Sequence, residues 1–119
     1  MKYVLLIYQG TTPLPGSDRW KSMPEAEQKA VYADYGAINQ TRGVSPGPPL
    51  GLPEKATTVR VEHGKTVTTE GPHAGLTGAV GGFITFEADD IDAAIELAAR
   101  IPAARLGGAI EVRPVETYW

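Results

Sequence analysis

The sequence predicts an α+β fold of the split βαβ type, and three observations carry that prediction. Two runs, Lys2–Tyr8 (KYVLLIY) and residues 81–88 (GGFITFEA), are apolar on successive positions, the pattern of strands with cover on both faces. His63-Gly64 sits between two alternating segments as a two-residue hairpin turn. Two helical segments are interleaved with these strands rather than following one another, which separates the fold from a bundle.

The elements follow in order. After the first strand comes a Gly/Pro-rich loop carrying Trp20, and then Ser22 opens a Ser-x-x-Glu capping box with Glu25, with Pro24 early in the first turn. A helix is expected over residues 24–41. Its pattern is mixed, because Ala26, Ala30, Ala33 and Ala37 form one small-residue row while Val31 and Ile38 lie on another. Either the alanine row packs on the sheet, or Asp34 is partly buried with a partner. Residues 43–53 (GVSPGPPLGLP) read as a structureless connection.

In the hairpin, counting outward from His63-Gly64 sets Glu62 opposite Lys65, Val61 opposite Thr66, Arg60 opposite Val67, Val59 opposite Thr68 and Thr57 opposite Glu70. Glu70 thereby shares a face with Val59 and Val61. The strand at 81–88 sets Phe83 on one face and Ile84 and Phe86 on the other. Asp89 or Asp90 caps a second helix running to Arg100, with an apolar stripe of Ile91, Ala94, Ile95 and Ala98 and a Glu96 to Arg100 pair at i, i+4. Residues 109–115 (AIEVRPV) alternate as a half-buried last strand.

This order is ferredoxin-like with an additional hairpin, in one domain over residues 1–119. Two helices cover one face of such a sheet, so the other face is expected to pack on a second copy as a homodimer. The alternative is a monomer whose Pro-rich loop and C-terminal tail cover that face.

Composition excludes several classes. The net charge is -3 and the basic residues are scattered, so nucleic acid is not an expected partner. The absence of cysteine removes disulfides, thiolate zinc sites and thiol nucleophiles, and fits a cytoplasmic location. The first apolar run is too short for a membrane span or a signal peptide. No metal is expected, since the two histidines, His63 and His73, lie apart and there is no ligand spacing. No cofactor is expected either, because phosphate-cradling glycine motifs are missing, and there is no Gly-x-Ser-x-Gly elbow.

The opening MKYVLLIY, the segment EGPHAGLTGAVGGF and the closing DDIDAAIELAARIPAARLGGAIEVRPVE together resemble the YCII-related family, in its DGPF branch. The resemblance implies a ferredoxin-like fold in the dimeric α+β barrel arrangement, and by association a regulatory link to sigma factors. Where the branch has Asp-Gly-Pro-Phe this chain has Glu70, Gly71, Pro72 and His73. The charged Ala-Glu-Thr-Lys-Glu pattern that follows is here Ala74, Gly75, Leu76, Thr77 and Gly78.

Glu70 and His73 are the candidate catalytic pair, three residues apart around a Gly-Pro turn that can bring a carboxylate to an imidazole. The structural alternative has Glu70 accepting backbone N–H groups of that turn and His73 filling a phenylalanine's space. Trp20, Arg60 and Arg113 are candidate ligand-binding residues, with core packing for Trp20 and pairing with Glu62, Glu87 or Glu111 for the arginines as the alternatives. The expected function is non-catalytic binding of a small organic molecule, or a regulatory interaction, at a pocket near residues 70–82. The other possibility is acid/base lyase or isomerase chemistry through His73 and Glu70.

Overall fold

A computed structural model of the chain describes residues 1–118. Four strands form one antiparallel sheet: β1 (Lys2–Tyr8), β2 (Val44–Pro46), β5 (Val80–Glu87) and β6 (Ala109–Pro114), in the order β2-β5-β1-β6. Strands β3 (Thr57–Glu62) and β4 (Lys65–Glu70) pair apart from it as a hairpin. The helices are α1 (Asp18–Lys21), α2 (Glu25–Asn39) and α3 (Ile91–Ala99). With the hairpin set aside, the order is β-α-β-β-α-β with β5 inserted between β1 and β2, which is the split βαβ, ferredoxin-like arrangement.

Strand β2 lies inside the stretch expected to be a structureless connection. Its three residues pair Val44 with Phe86, Ser45 with Thr85 and Pro46 with Ile84. The main-chain N–H of Gly47 continues the ladder to the Phe83 carbonyl at 3.0 Å. Pro46 is tolerated because β2 is an edge strand, where a missing donor breaks no ladder on the far side. Proline density hid the strand from a reading based on composition.

The core lies on one face of the sheet. Tyr3, Leu5 and Ile7 of β1 and Ile84 and Phe86 of β5 meet Ile38 of α2 and Ala94, Leu97 and Ala98 of α3, with Ile101 and Ala103 beyond the helix. One expectation about a helix face is corrected here, and one open choice is decided. On α3 the buried set is Ala94, Leu97 and Ala98, while Ile91 and Ile95 are 43% and 53% exposed. Positions 94, 97, 98 and 101 form their own i, i+3, i+4, i+7 stripe, and the buried Ile101-Pro102-Ala103 turn rotates the helix onto it. On α2 the alanine row faces solvent and Val31 and Ile38 are buried. Asp34 is half-exposed and accepts from Arg105 Nη2 at 2.6 Å, so the second alternative for that helix is the one realised.

The helix starts also differ in detail. Ser22 does not cap α2, whose N-cap position is Pro24 with no side-chain hydrogen bond. Ser22 closes the preceding α1 instead, donating its hydroxyl to the Asp18 carbonyl at 3.0 Å. That short helix is capped by Ser17, whose Oγ accepts from Trp20 N at 3.2 Å. Glu25 and Glu27 still place negative charge at the α2 N-terminus, where the helix dipole favours it. Asp90 caps α3, its Oδ1 accepting from Ala93 N at 2.9 Å.

The opposite face of the sheet carries Val4, Leu6 and Tyr8 half-buried and Phe83 37% exposed. The Cα extents of 46 × 44 × 19 Å are those of a slab, one helical layer on one sheet, with the hairpin extending it. The hairpin register is the expected one at each of the five pairs named, from Glu62 with Lys65 to Thr57 with Glu70, and Thr58 pairs with Thr69 between them. His63 takes φ 52° and Gly64 φ 76°, the positive values that a two-residue hairpin turn of this hand requires.

Candidate functional site

The site begins with an irregularity between β1 and β5. Ile7 pairs with Gly82 but Tyr8 pairs with Val80, so Gly81 is an extra residue on β5. Such a bulge re-aims the chain around it. Directly after Tyr8, the backbone N–H of Gln9 donates to the Ala79 carbonyl at 3.2 Å, which restores the pairing and folds the Gln9 side chain back across Gly81. The glycine-rich entry to β5 therefore allows close approach of a side chain of this same molecule.

Around this point lies a cleft of about 710 Å³, within the roughly 300–1,000 Å³ usual for small-molecule sites. Its floor is Ile7, Ile84, Gly81 and Gly82 of the sheet. One wall is the loop with Leu14 and Pro15, and the other is the proline-rich segment from Pro46 to Leu52, with Phe83 beside it. Tyr35 and Asn39 of α2 close one side, and Lys55 stands exposed at the rim. Among the described residues no carboxylate lines the cleft. Gln9, 5% exposed, is the one buried polar residue among its walls, and its Oε1 takes no hydrogen bond from the described residues.

Burial raises the pKa of the Tyr35 phenol above its ordinary value, and the nearby Arg105 charge pulls the other way less strongly. The folded chain therefore holds this proton to higher pH than the unfolded chain does. Stability supplied by the neutral phenol is intact below the unfolded pKa and is lost as pH rises through the folded one. Urea midpoints measured from about pH 9 to 11 should fall more steeply for the wild type than for Tyr35→Phe. Parallel curves would refute the coupling.

The residues singled out in the sequence do not converge. Glu70 and His73 are both exposed, neither lines the cleft, and no hydrogen bond or ion pair joins them. No backbone N–H of the Gly71-Pro72 turn donates to the Glu70 carboxylate; the turn is held by Gly71 N to the Ala56 carbonyl at 2.7 Å and by the Thr58 hydroxyl to the Gly71 carbonyl at 2.8 Å. Arg60 pairs with Glu62 at 3.3 Å on the exposed hairpin. Arg113 is exposed on β6, opposite Val4. Trp20 is buried, with its ring edge-on to Tyr32 at 5.4 Å between centroids. Among the described residues no group of three His, Asp or Glu is placed to hold a metal ion.

Gln9 is the residue that sequence reasoning missed. Its signal was a polar side chain ending an apolar strand, with a Gly-Gly pair elsewhere to receive it, and only the bulged register connects the two.

The fold and the cleft define a class: a ferredoxin-like α+β protein with an apolar cleft at the N-terminal end of β5, floored by a bulge. The YCII-related domain family matches residues 1–118, and the chain belongs to that family. No curated protein matches it. No helix of the described residues is long and apolar enough to cross a membrane.

Proposed function

We propose that this chain is a cytoplasmic homodimer that binds a small organic molecule in the Gln9 cleft without turning it over. The observation that carries the reading is the cleft itself: it has ligand size and apolar walls, and its one buried polar residue is an amide, which is a poor acid or base. Glu70 and His73 stand outside it, so acid/base chemistry through them is not part of the proposal. The dimer is supported by the apolar outer face of the sheet, Val4, Leu6, Tyr8 and Phe83, in a slab only 19 Å thick. Phe83 belongs both to that face and to the cleft wall, so a second copy would also complete the surroundings of the site.

A thermal-shift screen of small organic compounds tests this. Compounds that bind should raise the wild-type Tm by about 2–5 °C. They should fail to do so for Leu50→Glu, a change at an exposed wall position that sets a carboxylate in the cleft. The shifts should survive His73→Phe and Glu70→Gln. Loss of the shifts in these two variants, with Leu50→Glu unaffected, would move the site to the hairpin end and restore the catalytic alternative. A hydrodynamic mass of one chain at micromolar concentration would remove the dimer.

A further inference from the structure

We propose that the Gln9 amide is the polar anchor of the cleft, and that the ligand is an uncharged, largely apolar molecule donating a hydroxyl or amide N–H to Gln9 Oε1. The inference rests on the reading of the cleft as a ligand site and gives that ligand its chemistry.

Three observations lead to it. First, Gln9 is 95% removed from solvent by its 5% exposure, and its Oε1 is buried without a donor from the described protein. A buried carbonyl left unpaired is unfavourable, so a ligand donor that the amide turns from its seat against Gly81 to meet gains more than the same group would at a wet surface. Thr12 Oγ1 is in the same condition, but Thr12 is not part of the cleft wall and offers a ligand nothing.

Second, the amide is seated by design of the backbone. A Cβ built on Gly81 would lie 2.7 Å from Gln9 Oε1 and 3.5 Å from Gln9 Cβ. Only glycine at the bulge leaves room for the amide to lie flat on the strand, and bulges beside sites commonly re-aim one side chain in this way.

Third, the rest of the wall selects against charge. Ile7, Leu14, Pro15, Leu50, Phe83 and Ile84 supply apolar surface, and the one charged wall residue among those described, Lys55, is exposed at the rim where water screens it. A charged group carried to the depth of Gln9 would meet no opposite charge and would lose its hydration. A neutral donor meets an acceptor.

The test is a matched pair of probes, 2-naphthol and 2-methoxynaphthalene, titrated into isotope-labelled protein with dissociation constants read from backbone amide shifts. The methoxy compound is the more apolar of the two and cannot donate, so burial alone would favour it. Wild type is expected to bind 2-naphthol about tenfold more tightly, the effect of one hydrogen bond to a desolvated acceptor. Gln9→Leu should bind both compounds equally. Gly81→Ala, which displaces the amide while leaving Gln9 in the chain, should reduce the preference toward unity, and it serves if the leucine variant does not fold. Equal affinities in the wild type, or a tenfold preference that persists in both variants, would overturn the anchor while leaving the cleft as a site. Absence of shifts at Leu14, Leu50 and Phe83 with either probe would overturn the cleft reading and the anchor with it.

Discussion

Replacing Leu5 by alanine should destabilise the protein by about 3–4 kcal/mol, the mid-range for truncating a fully buried leucine. Leu5 is 0% exposed and sits at the middle of β1, the strand that pairs on both sides, with Ile84 across on β5 and Val112 across on β6. It belongs to the cluster that receives Ile38 from α2 and Leu97 from α3, so its removal opens a space bounded by four elements. A hydrogen-bonded sheet cannot close in to fill such a space, and the cavity adds to the lost transfer energy. Urea denaturation should show the midpoint falling with the slope unchanged, and Tm should drop by about 10–20 °C. A loss below about 1.5 kcal/mol would mean that the core does not centre on β1. Leu6→Ala is the informative neighbour, since Leu6 lies on the outer face. If the homodimer forms there, its cost should depend on protein concentration, which the Leu5 cost should not.

That contrast shows how much of the fold could be read in advance. Lys2–Tyr8 was legible as a strand because it is apolar at nearly every position and rich in aromatic and branched residues, and the hairpin register was legible because a two-residue turn leaves one way to count. What escaped depended on tertiary choices between locally equal options. Two apolar stripes of α3 share Ala94 and Ala98, and the buried turn at Ile101-Pro102-Ala103 selects the one with Leu97. Ser17 and Ser22 are both good caps, and Ser22 is taken by α1, an element too short to leave a periodic signal. Strand β2 has a single strand-favouring residue, Val44, ahead of Pro46, and exists because β5 offers it an edge.

Of the stretch over residues 70–82 that the sequence singles out, only its last two glycines line the cleft. The glycines before Phe83 marked a place of close backbone approach, and Gly81 and Gly82 do floor the cleft. The polar groups nearest in sequence, Glu70 and His73, drew attention because titratable side chains announce chemistry. The group that occupies the approach is Gln9, far away in the chain and unable to titrate. Bulges join residues across strands by register, and register between β1 and β5 is not encoded by any short segment.

Gly10→Ala should then act on stability and binding together, since Gly10 is where the chain leaves β1 and Gln9 to build one wall of the cleft. Gly10 has φ 55°, and a Cβ there would fall within the van der Waals envelope of the Gly107 carbonyl oxygen, a backbone atom that cannot swing aside. The same carbonyl accepts from Thr11 N at 3.2 Å, and Arg19 Nη1 donates to the Thr11 carbonyl, so the wall is tied to the contact that the new methyl would break. The expected loss is about 2–4 kcal/mol, strain and displaced hydrogen bonding combined. Because Leu14, Pro15 and Gly16 follow directly, affinity for a cleft ligand should fall about tenfold, a change of about 1.4 kcal/mol. Gly16→Ala separates the causes. Gly16 has φ 90° but nothing within 4 Å of its built Cβ, so it carries the conformational penalty alone, about 1–2 kcal/mol. If the two variants lose the same stability, the Gly107 contact does not matter. If Gly10→Ala loses stability but binds as well as wild type, the Thr11 to Gly16 segment is not the wall of the ligand site.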